Sequence, residues 1–379
     1  MSDKYIRNII LFGHFTVAVA INTLAPLLPT LQAKLGMTIF QSSAIPTAMT
    51  ISVMVANLLM GVLIAHLGQK KVLILSLIIV MSGTIVGYFA NSFILILISF
   101  SLIGFACGAS FTGLSTIYAG LPIKFQNFGL YHAFFGIGGM ITPLLVSFWI
   151  KNGRDYHELF FLQTLIVLIA LILVMSARSL KNIQYKNFRF REMFSVISSP
   201  FIRLGILVLA VYASVEVGCV TWNANMSTDG YGLTPATAGY ILSSFWLLFT
   251  LSRIFADFIA RKIGSVTLSV SCSLLTIAVI SLWILGVSPY LSPLLGLLLG
   301  PVFPVMQKYI NNHLAPEQKG LFNGLSYAST GLTATMIIPI MGSLGDISMI
   351  GAFLPVPLVL LVLVFLIGQV KKKTPVENR

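Results

Sequence analysis

The stretch FLPVPLVLLVLVFLIGQV, residues 353 to 370, contains no charged side chain. A helix of this length spans roughly 27 Å, close to the hydrocarbon core of a bilayer, which is about 30 Å thick. Residues 160 to 176 form a similar run that contains one Gln, one Thr and no charge. Since backbone groups at that depth cannot bond to water, both runs are predicted to be transmembrane helices.

The composition extends this prediction to the whole chain. Of its 379 residues, 57% are hydrophobic and 9% are charged, whereas about a quarter of the residues in a soluble protein are charged. Twelve segments are long and apolar enough to cross a membrane. The first is too long for a signal peptide and no small-residue cleavage site follows it, so we expect it to be retained. The segments are 8–31, 43–67, 71–90, 93–120, 125–150, 158–177, 201–227, 235–261, 265–287, 289–312, 319–345 and 347–370.

The net charge of +13 is unevenly divided between the two sides of such a membrane protein. If the N-terminus is inside, only Lys34, Lys151 and Arg154 lie on the outer side, and the other Lys and Arg residues lie on the inner side. This bias predicts cytoplasmic termini and a multi-pass protein of the cell membrane, the inner membrane where a cell has two. The basic residues are spread over many short loops, which argues against nucleic-acid binding.

A repeat relates residue i to residue i+196. Six helices return the chain to its starting side, so the two copies are predicted to be parallel halves, with a solute site near the midplane between them. The predicted divisions are an N-terminal half (1–177), a cytoplasmic linker (178–200) and a C-terminal half (201–379). The recurring landmarks are Arg7 and Arg203, LGMT (35–38) and YGLT (231–234), Gly68 and Gly264, Gly104 and Gly300, Asn127 and Asn323, Tyr131 and Tyr327, and Pro143 and Pro339.

The segment GVLIAHLGQKK (61–71) is similar to the loop motif Gly-x-x-x-Asp-Arg-x-Gly-x-Lys/Arg-Lys/Arg of the major facilitator superfamily, and the chain resembles that family over its whole length. Ala65 stands at the Asp of the motif and His66 at its Arg. The resemblance implies an all-α membrane protein of twelve helices in two parallel six-helix halves, which transports by alternating access. It also implies a gating role for Gly61, Gly68, Lys70 and Lys71 and, in the second half, for Arg253, Asp257 and Arg261.

Three other stretches resemble the fucose permease-like sugar/proton symporters. They are YHAFFGIGGMITPLL (131–145), YASVEVGCVTW (212–222) with FWLLFTLSRI (245–254), and LLGPVFPVMQ (298–307). The resemblance implies that the solute is a sugar or a polyol carried by symport with protons. The acids that this family uses for proton coupling in its first and fourth helices have no counterpart, since the first and fourth predicted helices of this chain contain no Asp or Glu.

Glu216 is the acid predicted to lie near the midplane. A charged group there costs roughly 2.5–3.5 kcal/mol on insertion scales. The carboxylate can avoid this cost by facing a water-filled cavity or by taking up a proton. We therefore predict that Glu216 binds solute and carries protons, and the alternative is a structural hydrogen bond to a neighbouring helix.

Further polar side chains at helix depth are predicted to contact the solute. Amides and an indole suit a sugar, because they offer neutral donors, acceptors and a flat apolar face. A histidine titrates near neutral pH and could also couple protons. The alternatives are an interfacial anchor, a helix end, or packing between helices. The predicted solute ligands besides Glu216 are Asn22, Trp222, Asn223, His132, Tyr327 and Gln307, with His132 also predicted to couple protons; Asn225, His14 and Asn323 are weaker candidates.

The sequence contains no phosphate loop, no nucleophilic constellation and no metal-ligand spacing, so we predict no enzyme activity, cofactor or metal. Cys107, Cys219 and Cys272 lie in predicted helices and are expected to be buried thiols. The leading prediction is a monomeric secondary transporter of a small polar solute in the lipid bilayer, with protons as the candidate coupling ion. The first alternative is a proton-driven exporter of drugs or amphiphiles. GIGGMITP (136–143) is similar to the glycine- and proline-rich fifth-helix motif of drug/proton antiporters, with Thr142 in place of the Gly that precedes the Pro. The second is a transporter-shaped receptor without flux.

Overall fold

The computed structural model describes residues 3–119, 121–122, 125, 128–177, 198–314 and 316–374. For some residues in these ranges, among them Gly61, Ala65 and His132, only the backbone is described. The described residues contain twelve helical spans long and apolar enough to cross a membrane, as predicted. Most of the predicted linker, residues 178–197, lies outside the described residues.

The first six spans, called here the first half, contain seven helices because the first span is broken after Ile21. The π-turn Met226–Gly230 ends the first span of the second half, and the tenth span is broken at Gly300 and Pro301. The helices of the first half are α1 Asp3–Ile21, α2 Leu24–Leu35, α3 Ile39–Leu67, α4 Gln69–Tyr88, α5 Phe93–Ala119, α6 Phe128–Lys151 and α7 Tyr156–Ser176. Those of the second half are α8 Pro200–Asn225, α9 Pro235–Ile263, α10 Ser265–Ile284, α11 Ser292–Leu299, α12 Val302–Asn312, α13 Pro316–Ile347, α14 Met349–Phe353 and α15 Pro355–Lys373, with a 3-10 turn at Pro289–Leu291.

The bundle has two ends, which we name by the chain segments they carry. The terminal face carries the start of α1 and the end of α15, and the far face carries the turns between α2 and α3 and between α8 and α9. Each half therefore begins and ends at the terminal face, as an even number of spans requires.

The offset of 196 residues also recurs in the backbone geometry. Thr38 and Thr234 each cap the following helix by accepting a hydrogen bond from the backbone N–H three residues on. Gly68 and Gly264 have φ angles of 84° and 90°, in the region that favours glycine. The same local chemistry thus begins and ends the second membrane span of each half, α3 and α9.

Glycines let the two halves approach closely. A β-carbon at Gly345 of α13 would lie 2.8 Å from Ile39 Cγ2 of α3, and one at Gly239 of α9 would collide with Ser147 Oγ of α6. Small residues at helix crossings allow such backbone contact in membranes. Two seams, α3 with α13 and α6 with α9, therefore join the halves, and both are tight toward the far face.

Candidate functional site

Glu216 forms an ion pair with Arg253. Arg253 Nη2 lies 3.3 Å from Glu216 Oε2, and the two side chains keep 35% and 20% of their surface exposed, respectively. Glu216 belongs to α8 and Arg253 to α9, so the pair joins two helices of the second half. Arg253 precedes the end of α9 at Ile263 by ten residues, or roughly 15 Å of helix. The pair therefore lies well inside the membrane-spanning region.

The Arg253 guanidinium is held from two further directions. Its Nε donates to the carbonyl of Gly300, at 3.1 Å, and its carbon lies 4.1 Å from the centre of the Phe249 ring. The Gly300 carbonyl is free to accept because the residue four positions on is Pro304, which has no N–H. The sequence LLGPVFP thus provides a backbone acceptor for the arginine at the break between α11 and α12.

The buried Tyr212 completes this arrangement. It lies one helical turn before Glu216 on α8, and its hydroxyl donates to the carbonyl of Leu299 at 2.7 Å. The side chain interacts with both Glu216 and Arg253. Two carbonyls at the break in the tenth span therefore receive donors from α8 and α9, which fixes the pair against that break.

This placement of Arg253 differs from the prediction that put it in the gate at the terminal face. That prediction follows from the position of Arg253 in the second copy of the loop motif. A carboxylate at membrane depth needs a counter-charge, and the basic residue nearest mid-depth in the second half could have identified Arg253 from sequence. Its partner in the structure is Glu216, so we treat Arg253 as part of the central site.

The other predicted gating residues lie near the terminal face. Asp257 Oδ2 accepts from Lys308 Nζ of α12 at 2.6 Å, with both side chains about half exposed. These two residues and Arg261 line a surface crevice. In the first half, Lys70 Nζ donates to the Ala177 carbonyl at 2.8 Å. Both contacts join helices within one half.

The predicted polar face at the end of α8 is buried. Trp222 and Asn223 are fully buried; Trp222 Nε1 donates to the Ile338 carbonyl at 3.3 Å, and Asn223 Nδ2 donates to Ser292 Oγ at 2.7 Å. Asn22, just after the end of α1, donates through Nδ2 to the Ala18 carbonyl one turn earlier. In this conformation these three side chains support helix contacts and offer little open surface to a solute.

The remaining candidates are dispersed. Tyr327 of α13 is 48% exposed, and Gln307 Nε2 donates to Asn323 Oδ1 at 3.1 Å. His14 is buried and stacks on Tyr131, with ring centres 3.9 Å apart. His132 is on α6, but its side chain lies outside the described residues. The structure therefore brings Glu216 together with Arg253, and none of the other predicted ligands whose side chains are described forms a hydrogen bond or an ion pair with that pair. The three cysteines are buried, as predicted.

Comparison with known sequences gives a family match and a partial relative. The sequence profile described as Major Facilitator Superfamily matches residues 10–299. The multidrug efflux pump SdrM of Staphylococcus aureus is 28% identical over 174 residues, which cover 45% of this chain and 36% of SdrM. The chain spans about a third of the length of the curated relatives it matches.

Comparison with solved structures gives the same fold over the whole chain. The nucleoside transporter NupG superposes with a TM-score of 0.76 at 14% identity, covering 100% of both chains. The fucose:proton symporter FucP of E. coli superposes with a TM-score of 0.68 at 16% identity, covering 99% of this chain and 100% of FucP. At these identities the likeness shows the fold alone, and it agrees with the predicted arrangement of twelve helices in two parallel halves.

Proposed function

The chain belongs to the major facilitator superfamily, and from this premise we propose that it is a secondary transporter of a small polar solute, working by alternating access. Membership of a transporter family confirms the prediction that the chain is not an enzyme. The proposal is carried by one observation, the partly exposed Glu216–Arg253 pair inside the membrane-spanning region. Ionisable residues at such depth are costly and commonly mark a solute or proton pathway.

The geometry of the pair suits binding. The hydrogen bonds of Arg253 to Gly300 and to Glu216 use two of its five N–H donors, and Tyr212 also interacts with the guanidinium. Its plane is fixed by Phe249, so the remaining donors have a defined direction. Glu216 can accept from a solute hydroxyl while it stays paired. An acceptor and a donor presented side by side match neighbouring hydroxyl groups, which supports the proposal of a sugar or polyol as solute.

The fucose permease-like motifs support the same solute class, and proton coupling would then use Glu216 and His132. The divisions into halves 1–177 and 201–379, with the linker 178–200 between them, belong to this proposal. So does a monomer in the cell membrane with both termini in the cytoplasm. In that orientation the far face is outside, and its tight seams with the partly exposed central pair correspond to an inward-facing conformation.

A screen of purified protein by thermal unfolding tests the solute class. A ligand at a hundred times its Kd should stabilise the folded state by about 2.7 kcal/mol. We expect sugars or polyols to raise the melting temperature of the wild type but not that of Arg253→Ala. Stabilisation by amphiphilic drugs alone would reject the sugar proposal.

An exporter of amphiphiles is the second candidate, because SdrM is a partial relative and aromatic rings lie beside the charge pair. Trp246 packs edge-on against Phe249, and the ring centre of Phe135, in the first half, lies 6.3 Å from the ring centre of Trp246. Such rings suit apolar ring systems as well as sugars. Drug stabilisation in the same screen, lost in Phe135→Ala, would favour this function.

The orientation of the chain predicts a labelling pattern. A cysteine at Ser198 is expected to resist a membrane-impermeant thiol reagent applied to intact cells, because it lies at the terminal face. A cysteine at Asn152, in the far-face turn after α6, is expected to react. Both should react after the cells are permeabilised, which controls for accessibility. The opposite pattern in intact cells would reverse the proposed topology.

The Asp257–Lys308 contact predicts a conformational effect. Both side chains are about half exposed, so the pair is worth at most about 1 kcal/mol. Asp257→Asn is expected to change the ratio of inward- to outward-facing molecules by up to about fivefold and to leave the Kd of each state for solute unchanged. Distance measurements by spin labelling report the ratio. Lys308→Gln is the matched variant, and equal populations in wild type and both variants would remove this pair from the gate.

A further inference from the structure

A carboxylate of the second half caps a helix of the first half at the far face. Asp346 Oδ1, at the end of α13, accepts from the backbone N–H of Phe40 at 3.0 Å. Phe40 is in the first turn of α3, where N–H groups have no helical partner. The side chain of the N-cap Thr38 accepts from the backbone N–H of Gln41, so the backbone N–H of Phe40 has its acceptor in Asp346 instead. A negative charge at this end of a helix is also favoured by the helix dipole.

A chain of side-chain hydrogen bonds reaches the same turn of α3. Asn225 Nδ2, in the second half, donates to Gln32 Oε1 at 2.5 Å and to Asp229 Oδ2 at 3.1 Å. Gln32 Nε2 donates to Ser42 Oγ at 2.6 Å, and Ser42 donates to the Ile39 carbonyl. Asn225 is fully buried and Gln32 is 8% exposed, so water competes little for the bond between them.

The internal repeat does not require these contacts. At the offset of 196 residues the counterpart of Asp346 is Ile150, and that of Phe40 is Ala236. On the other seam α9 begins with Pro235, which has no N–H to satisfy. At the terminal face, the sequence has Ala65 where the family motif has its Asp. Within the part of the chain that the structure describes, a carboxylate cap between the halves is therefore found at the α3–α13 seam of the far face and not at the other seam.

We propose that Asp346 and the Gln32–Asn225 bond form a latch that keeps the far face closed and sets the resting conformation. Both contacts join opposite halves, so both must break when the far face opens. A contact made in one of two states shifts their ratio by its own free energy. The latch rests on the proposed function only in requiring that the halves move.

Spin-label distances across the far face test the latch without solute or transport. We would label Asn152→Cys in the first half and Val287→Cys in the second, in nanodiscs. Asp346→Ala removes the cap and is expected to raise the far-face-open population about three- to tenfold, the scale of a lost helix cap. Asp346→Asn keeps an acceptor oxygen and is expected to shift the population less. Gln32→Ala is expected to act in the same direction, and the double variant with Asp346→Ala more strongly than either.

Glu158→Ala is the matched control, since Glu158 is an exposed far-face acid whose partner, Arg154, belongs to the same half. It should leave the distances unchanged. Unchanged distances in both Asp346→Ala and Gln32→Ala would overturn the latch. If Asp346→Ala does not fold, Asp346→Asn and Gln32→Ala decide, and wild-type distances in both would again overturn it. A shifted distance in a protein that moves no solute would support the latch and reject the transport function instead.

Discussion

Glu216→Gln is expected to abolish accumulation of solute against a gradient while leaving exchange of solute across the membrane. The substitution keeps the shape and a hydrogen-bonding group but removes the ionisable proton. Accumulation by symport requires a group that gains and loses this proton during the cycle, whereas exchange requires only binding and movement of the halves. Uptake and counterflow, measured on the same proteoliposomes, separate the two steps.

The size of the effect distinguishes the two roles of the carboxylate. If Glu216 only binds hydroxyl groups, Gln should weaken solute binding by about 1–2 kcal/mol, the difference between a charged and a neutral hydrogen bond. Glu216→Ala should impair transport in either role. Glu158→Gln changes an exposed acid at the far face and should leave both assays unchanged. Gradient-driven accumulation at the wild-type level by both Glu216 variants would leave this residue a structural one.

Arg253→Ala is expected to reduce uptake to background and to lower stability. It leaves Glu216 without a counter-charge and removes the donor to the Gly300 carbonyl. Breaking a fully buried pair costs about 3–5 kcal/mol. Since the two side chains keep 35% and 20% of their surface, we expect a loss of about 1–3 kcal/mol in the free energy of unfolding. Thermal unfolding and proteoliposome uptake measure the two losses.

Two further variants separate charge from geometry. Arg253→Lys keeps the charge but not the planar fork, so we expect most of the stability to return and little of the transport. Combining Arg253→Ala with Glu216→Gln removes the uncompensated carboxylate, and part of the lost stability should return without uptake. Wild-type uptake by Arg253→Ala would contradict the central site.

The sequence predicted the spans well because backbone groups inside a bilayer must bond within their own segment, so a long apolar run must be helical. It did not predict the breaks. Asn22 and Thr23 interrupt the first span inside an apolar run, and both side chains bond to carbonyls one turn earlier. The sequence GPVFP favours a break at Gly300, but the role of the break depends on which neighbouring side chain donates a hydrogen bond to the released carbonyl.

The site was predicted in part. The sequence identifies Glu216 because it is a single acid in an apolar run. Its partner Arg253 lies on another helix, and hydropathy does not determine which face of that helix turns toward Glu216. Trp222 and Asn223 share the polar stretch of α8, yet they face α13 and α11. Asp346 was missed because a carboxylate near a helix end is common, and its cap on α3 arises only from the packing of the halves.

The break at Gly300 has a mechanical consequence. An unbroken helix bends only by lengthening its backbone hydrogen bonds, whereas Pro304 has already removed the one at the Gly300 carbonyl. The tenth span can therefore bend at Gly300, and the Arg253 side chain restrains this point by its hydrogen bond to the Gly300 carbonyl. A solute that attracts the guanidinium would weaken the hydrogen bond between Arg253 and Gly300, and α12 could then tilt independently of α11. If the charge pair binds solute as proposed, binding at this depth would therefore change the angle between α11 and α12.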